Sequence, residues 1–386
     1  MNDISKNANK YKSNLRESEL VIQILEILAE ALIKQNMAQN LIQHMTNYMS
    51  MEVYNLSKNN CDEILSLIFD FLATNKSFGE GLEFFITFRD MFKVSNYSPI
   101  KAFIFYFAYY MKDYSKIDKL LYNFTISDLD IKHSNDYRIY CLYCYYKGLI
   151  HLQKREFEFA AFSFLSSIVL TRFDRFKIIE WTQWEGFRKL VLITPFLNDQ
   201  FRRFMEDKLN GLEKLRKIDD FKVYYDLYTS MTKVISEAPT NMAKFLVEQE
   251  KELKESGNFG LANFSLIELR FKLIVNELKK YKRILLNKFC NKINLSAEIV
   301  RDILEMYSAQ GKIAVKFDED STIIEVINCE LDSERKLEEL KKYYGLLNEA
   351  TLNWTLLDLA EINSTKKEKK GVAQEFDFTE DVLMNG

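Results

Sequence analysis

Three histidines, five cysteines and the tryptophans Trp181 and Trp184 are the residues of this 386-residue chain best suited to carry chemistry. A zinc-dependent isopeptidase or hydrolase needs a His-x-His pair, a downstream Asp ligand and a Glu base. His44, His133 and His151 stand too far apart to form that pair. Cys141 and Cys144 make a Cys-x-x-Cys, but a zinc ribbon needs a second pair, and Cys61, Cys290 and Cys329 are not spaced as one. Both lie in an aromatic helix-period stretch, where Cys packs as a small hydrophobe. His151 on the same helix reads as structural, and His44 and His133 have no partner that suggests acid–base work. Neither phosphate-cradling glycine pattern, G-x-x-x-x-G-K-[ST] or G-x-G-x-x-G, occurs. Trp181 and Trp184, three apart, have the spacing of a core or inter-repeat stripe rather than a ligand platform. The chain is expected to be no enzyme, with no catalytic residue, no metal ligand and no cofactor.

The elements around these residues point to assembly. With 11 Gly and 3 Pro the chain is poor in turn formers, which excludes most β architectures. Apolar residues recur at helical spacing, so the expected class is all-α. Charge is nearly balanced, 53 Lys and Arg against 56 Asp and Glu, which argues against a dedicated nucleic-acid binder. No apolar run approaches the roughly 18 residues of a membrane span, and the first residues, MNDISKNANKYKSN, lack the apolar core of a signal peptide. Odd, scattered cysteines fit reduced thiols in the cytoplasm or nucleus.

Along the chain, ELVIQILEILAEALIKQ puts Val21, Ile22, Ile24, Leu25, Leu28, Leu32 and Ile33 on one stripe, which predicts a buried helix. Helices are predicted at 41–56, 62–74, 79–93 and 99–112, the last opened by Pro99. DYRIYCLYCYYKGLIHLQKREFEFAAFSFLSSIVL splits at its polar QKRE, and its second half echoes the tetratricopeptide pattern at Gly148, Phe157, Ala160 and Phe164, with a weaker echo at Tyr114. Further helices are predicted at 175–194, 198–216, 219–236, 240–255 and 262–280, with a turn at Asn258 to Gly260.

The stretch INLSAEIVRDILEMYSAQGKIAVKFDEDSTIIEV carries the clearest strand signal. Ile284, Leu285 and Phe289 predict a short helix before it. Ser296 is a plausible N-cap, Ile299, Val300, Ile303, Leu304 and Tyr307 share one helix face, and Gly311 ends that helix. The period then changes from 3.6 to 2, with Ile313, Val315 and Phe317 in one strand and Thr322, Ile324 and Val326 in the other. Helix, helix, hairpin is the order of a winged helix. Acids on the second helix (Glu298, Asp302, Glu305) and at the hairpin tip (Asp318, Glu319, Asp320) oppose binding to duplex phosphates. The basic run KKYKRILLNKFCNK, 279–292, reads as a solvated face, with nucleic-acid binding as its alternative. The hairpin either covers its own helices or offers strand edges to a neighbouring protein.

Beyond the hairpin, Leu337, Leu340, Tyr344, Leu347, Thr351 and Trp354 recur three and four apart and predict a heptad seam, for a partner helix or for folding back on the array. TKKEKKG, 365–371, begins a polar tail, and EFDFTED, 375–381, is acidic and aromatic. The expected organisation is a flexible 1–15, a helical-repeat (tetratricopeptide-like) solenoid over 16–215, a helical part at 216–280 and a winged helix at 281–328. A long C-terminal helix over 329–361 and a disordered 362–386 follow.

SAEIVRDILEMYSAQGKI, with helical repeats before it, resembles the winged helix of the PCI-domain family: a Ser-started helix and a Gly-[KRE]-Ile lead into the hairpin. SPIKAFIFYFAYYMKDYSKIDKLL, DYRIYCLYCYYKGLIHLQKREFEFAAFSF and EKELKESGNFGLANFSLIELRF are similar, in that order, to motifs of the family of third subunits of the COP-nine signalosome, as is EFDFTED. Lys147 departs from that family's Gly, and the first 90 residues match no motif. The resemblance implies a scaffold subunit supporting cullin deneddylation and cullin-RING ligases, whose chemistry belongs to a metalloprotease-type subunit. Its partners would be other PCI subunits, met through the winged-helix strands, and a shared helical bundle. Subunits of the proteasome lid or of a translation initiation factor complex share the pattern, as does an RNA-binding PCI protein of messenger RNA export. The resemblance implies cytoplasm and nucleus as locations.

Overall fold

The structure is a computed structural model. It describes residues 58–92, 99–122, 134–169, 181–210, 219–233, 236–318, 320 and 322–328, with short helical pieces between 23 and 43. In those pieces Leu32 is buried, with Ala29, whereas Ile24 of the expected stripe is 55% exposed. Most of the expected helix at 41–56 lies outside the described residues.

The fold is mostly helical with one small antiparallel sheet. Its helices are α1 Lys58–Thr74, α2 Phe78–Phe92, α3 Pro99–Met111, α4 Asp118–Tyr122, α5 Ser134–Gln153, α6 Phe157–Val169, α7 Trp181–Ile193, α8 Asp199–Asn210, α9 Asp219–Lys233, α10 Ala238–Glu248, α11 Glu250–Glu255 and α12 Phe259–Leu278. Strand β1 Arg283–Leu285, helices α13 Leu286–Ile293 and α14 Ala297–Ala309, and strands β2 Ala314–Phe317 and β3 Ile323–Asn328 follow. The chain divides into two compact units, the boundary falling between Lys154 and Arg155.

One turn recurs between helices. Lys76, Lys112, Arg155 and Gly257 each take a positive φ, between 56° and 70°. In every case an aromatic residue stands two positions on: Phe78, Tyr114, Phe157 and Phe259. Backbone bonds from Ser77 N–H to the Leu72 carbonyl (3.0 Å) and from Asn258 N–H to the Leu253 carbonyl (2.8 Å) close two of them as Schellman caps. The left-handed residue ends one helix, and the aromatic opens the next segment. The turn expected at Asn258 to Gly260 therefore centres on Gly257, and Gly260 lies inside α12.

In the first unit, α1, α2 and α3 close on aromatic rings. Phe69 stacks on Phe103 at 4.3 Å, and Phe85 lies 5.1 Å from Phe103 and 5.7 Å from Phe107. Gly81 makes this approach possible, because a Cβ there would fall 2.5 Å from the Phe107 ring. On α5, Cys141, Cys144, Gly148 and His151 are buried.

In the second unit, Ala160 and Phe164 are fully buried and Phe157 stacks on Phe196 at 4.3 Å. Asn198 caps α8 by accepting from Phe201 N–H at 2.8 Å. A buried ion network ties α7 to the turn before α12. Glu185 accepts from Arg188 at 2.8 Å and Lys189 at 2.9 Å. Lys189 also donates to Asn258 Oδ1 (3.0 Å), whose amide returns to Glu185 (3.2 Å), and Arg188 pairs with Glu252 on α11. Arg188 lies 4.2 Å over the ring of Trp184. Burial alone would raise the Glu185 carboxyl, but Lys189, Asn258 and Arg188 outweigh it and hold it below its ordinary value. The network fixes the start of α12, the helix on which the C-terminal elements are built.

Candidate interaction module

The C-terminal module grows from the end of α12. Ile274 and Leu278 of α12, Leu286, Phe289 and Ile293 of α13, Val300, Ile303, Leu304 and Tyr307 of α14, and Ile313 and Ile324 form one buried cluster. Each helix supplies the apolar positions that fall three and four apart. The caps are local. Ser296 is extended, and its Oγ accepts from Ile299 N–H at 3.3 Å to start α14. Asn294, left-handed at φ 55°, ends α13, and Gly311, at φ 69°, ends α14 with Lys312 N–H on the Tyr307 carbonyl at 3.0 Å.

The sheet departs from expectation. Ile284 and Leu285 were expected in a helix but lie in β1, and only Phe289 is helical. The strand order is β1-β3-β2, all antiparallel. Ile284 faces Ile324, which faces Phe317, while Arg283 and Lys316 flank Glu325. Between Ile323 and Glu325, β3 is thus paired on both sides, so Ile324 has no free backbone edge there; Val326 lies beyond the stretch that β1 pairs, and Thr322 stands just before the strand. Only the outer edges of β1 and β2 stay open among the described residues. Ile313 (4% exposed) and Ile324 (0%) are core residues, and Val315, Phe317 and Val326 pack partly against the same core. Most apolar side chains of the hairpin pack toward its own helices, Ile327 excepted, and β2 presents an open outer backbone edge among the described residues.

Polar groups lock the module. Tyr307 donates to Glu268 on α12 at 2.7 Å, buried, and its ring stacks on Phe271 at 3.7 Å. Burial, and then the Glu268 carboxylate, push the Tyr307 phenol well above its usual range. Tyr307 was read only as a member of an apolar helix face and Glu268 did not stand out in the sequence, although an acid within the apolar run of α12 was the available signal. Asp318, read as a tip acid, builds the turn: its carboxylate accepts from the Thr322 hydroxyl (2.8 Å) and from Ile323 N–H (2.8 Å). In the basic run, Glu277 receives Lys280 at 2.7 Å and Lys292 at 2.6 Å, and these bonds hold its carboxyl down to about 2. Lys279, Lys282, Arg283 and Lys288 are exposed and make no ion pair among the described residues.

Of the residues weighed for chemistry, Cys141, Cys144 and Cys290 are buried free thiols, and burial pushes that of Cys144 up to about 12. Among the described residues no group of three His, Cys, Asp or Glu could hold a metal ion. Trp184 joins Phe221 at 4.5 Å, but Trp181 is 59% exposed and not part of a core stripe. His44, His133, Glu319 and the seam residues Leu337, Leu340, Tyr344, Leu347, Thr351 and Trp354 lie outside the described residues. No described helix is long and apolar enough to cross a membrane. No family model matches the chain, and comparison with curated proteins finds no match.

Proposed function

We propose that this chain is a non-catalytic scaffold subunit of the COP-nine signalosome, a PCI-domain protein supporting cullin deneddylation by assembly. One observation carries the reading: the order α12, β1, α13, α14, β2, β3, with the first strand beside the last. That order supports the reading as a winged helix, and the helices before it, joined by a recurring left-handed turn, support the reading as a repeat array. The sequence resemblance to PCI subunits names the same combination.

In this reading the helical array holds the winged helix, and the open backbone edge of β2 accepts a neighbouring PCI subunit's strand. The seam Leu337, Leu340, Tyr344, Leu347 and Trp354 enters a bundle shared with the other subunits, the metalloprotease-type ones included. The chain works in the cytoplasm and nucleus, uses no cofactor and reaches cullin-RING ligases indirectly. A proteasome-lid or initiation-factor subunit would use the same surfaces. RNA binding is favoured by the exposed Lys279, Lys282, Arg283 and Lys288, and opposed by the exposed acids Glu298, Asp302 and Glu305 on α14.

The test is isolation through a tag on this chain, with mass spectrometry of the native complex and an assay on neddylated cullin. Co-purifying deneddylation is expected. Proteasome peptidase activity, or salt-sensitive RNA binding by the purified chain, overturns the reading. Leu340→Glu with Leu347→Glu is expected to release the chain from its complex with its helical circular dichroism intact, and unchanged co-purification removes the bundle role.

A further inference from the structure

A row of charge crosses the sheet and ends at its edges. Arg283 of β1, Glu325 of β3 and Lys316 of β2 stand opposite one another in register. The neighbouring row, Ile284, Ile324 and Phe317, belongs to the core side, so the charged row lies on the outward side, and all three of its residues are exposed. The order across the sheet is therefore plus, minus, plus. Arg283 and Lys316 make no ion pair among the described residues, so the acid between them leaves both cations available.

The backbone of β2 is open beside this row. Asp318 N–H bonds to the Ile323 carbonyl at 3.3 Å. Bonded and unbonded pairs alternate along an antiparallel ladder, so Lys316 is bonded to Glu325, while the N–H and C=O of Phe317 turn away from β3. On the core side, Val315 and Phe317 are half-buried against the module, which leaves apolar surface for one more strand. Edge strands are commonly blunted by proline, charge or a bulge. β2 has no proline, its register shift lies between Ala314 and Val315, and Lys316 is its single charge. β1 is the poorer edge, three residues long and continued at once by α13.

We propose that the edge of β2 pairs with an extended segment of a partner protein in which an Asp or Glu stands opposite Lys316, between two large apolar residues opposite Val315 and Phe317. Residues directly opposite share a face, so the acid extends the row to plus, minus, plus, minus, and its neighbours join the core side. The acids already present do not take that place. Glu325 stands between two cations, and Asp318 turns its carboxylate onto Thr322 and Ile323. A second copy does not fit, because β2 laid antiparallel on β2 about Lys316 sets two lysines opposite, a destabilising pair. A nucleic acid brings no strand backbone, and no aromatic side chain lies on the outward row for a base to stack on. This preference rests on the strand-accepting role of β2 proposed above and names what the neighbouring strand must carry.

The probes are two fluorescently labelled peptides, Gly-Ser-Thr-Val-Glu-Val-Thr-Ser-Gly and its counterpart with Lys in place of Glu, read by anisotropy on the purified full-length chain. Saturable binding of the Glu peptide is expected, about threefold or more tighter than that of the Lys peptide. Lys316→Glu is expected to reverse the order, and Lys316→Gln to abolish the difference. Methylating the backbone nitrogens of the central Val-Glu-Val, which leaves the protein untouched, is expected to remove binding. No saturable binding of the Glu peptide, equal affinities on the unaltered chain, or binding that survives N-methylation overturns the proposal. So does a dimer of the unaltered chain that the Glu peptide dissociates, since it places a second copy on the edge. The two readings fail separately. Co-purifying deneddylation with peptides that bind alike keeps the signalosome and removes this partner preference, whereas a Glu-peptide preference without deneddylation does the reverse.

Discussion

Two contacts between helices are closed in opposite ways. Where α1, α2 and α3 meet, Phe69, Phe85, Phe103 and Phe107 crowd together, and Gly81 yields the space for the last ring. Where α7 meets α11 and the start of α12, Glu185, Arg188, Lys189, Glu252 and Asn258 exchange hydrogen bonds while largely shielded from water. Rings gain from area, which is non-directional, and each has several neighbours to lean on. An ion network is directional, and a member that loses its partner keeps its desolvation penalty. The first contact resists separation. The second also sets an angle, and it stands at the base of the helix that carries the sheet module.

Substitutions can break or sharpen this contrast. Glu185→Ala leaves the shielded Lys189 without its carboxylate, while Arg188 keeps Glu252, so a loss of about 3 kcal/mol is expected in urea unfolding, with a smaller loss for Glu185→Gln. The carboxyl is held below its ordinary 4.5, so its stabilisation is complete above that pH and disappears as pH falls through the lowered value. Acid unfolding of Glu185→Gln should therefore be less steep than that of the unaltered chain. Gly81→Ala drives a methyl into the Phe107 ring, for an expected loss of about 1–3 kcal/mol. Combined with Phe107→Leu it should cost less than the two single losses together, a coupling read by a double-mutant cycle. Tyr307→Phe keeps the stack on Phe271 but leaves Glu268 short of a donor, an expected loss toward the low end of about 1–3 kcal/mol. Lys112→Gly relieves a left-handed lysine and should raise stability by up to about 1 kcal/mol, read as a small rise in melting temperature.

The helical class was legible because burial imposes a period on each helix: α3 begins at Pro99, as read, and α2 starts one residue from its expected place. Ser296 and Gly311 announced both ends of α14, since caps are chosen for local geometry. β1 was hidden. Three residues, Arg283 to Leu285, are too few to show alternation, and their pairing with β3 joins positions about 40 residues apart. Separations of 39 and 73 residues hid the Tyr307–Glu268 bond and the Glu185–Asn258 bond, in which each partner looks like an ordinary polar residue until the fold brings the other to it. The breaks were placed, the one at QKRE among them, but their left-handed geometry escaped because Lys76, Lys112 and Arg155 occupy places where Gly or Asn would have signalled it.

Because β3 is the middle strand, tension applied to the polypeptide beyond Asn328 is borne by the ladders to β1 and to β2 together. A pull directed along the strand would load both in shear, whereas an outer strand could peel away one bond at a time. Whatever the carboxyl-terminal stretch grips, the module is anchored to it mechanically at its strongest point.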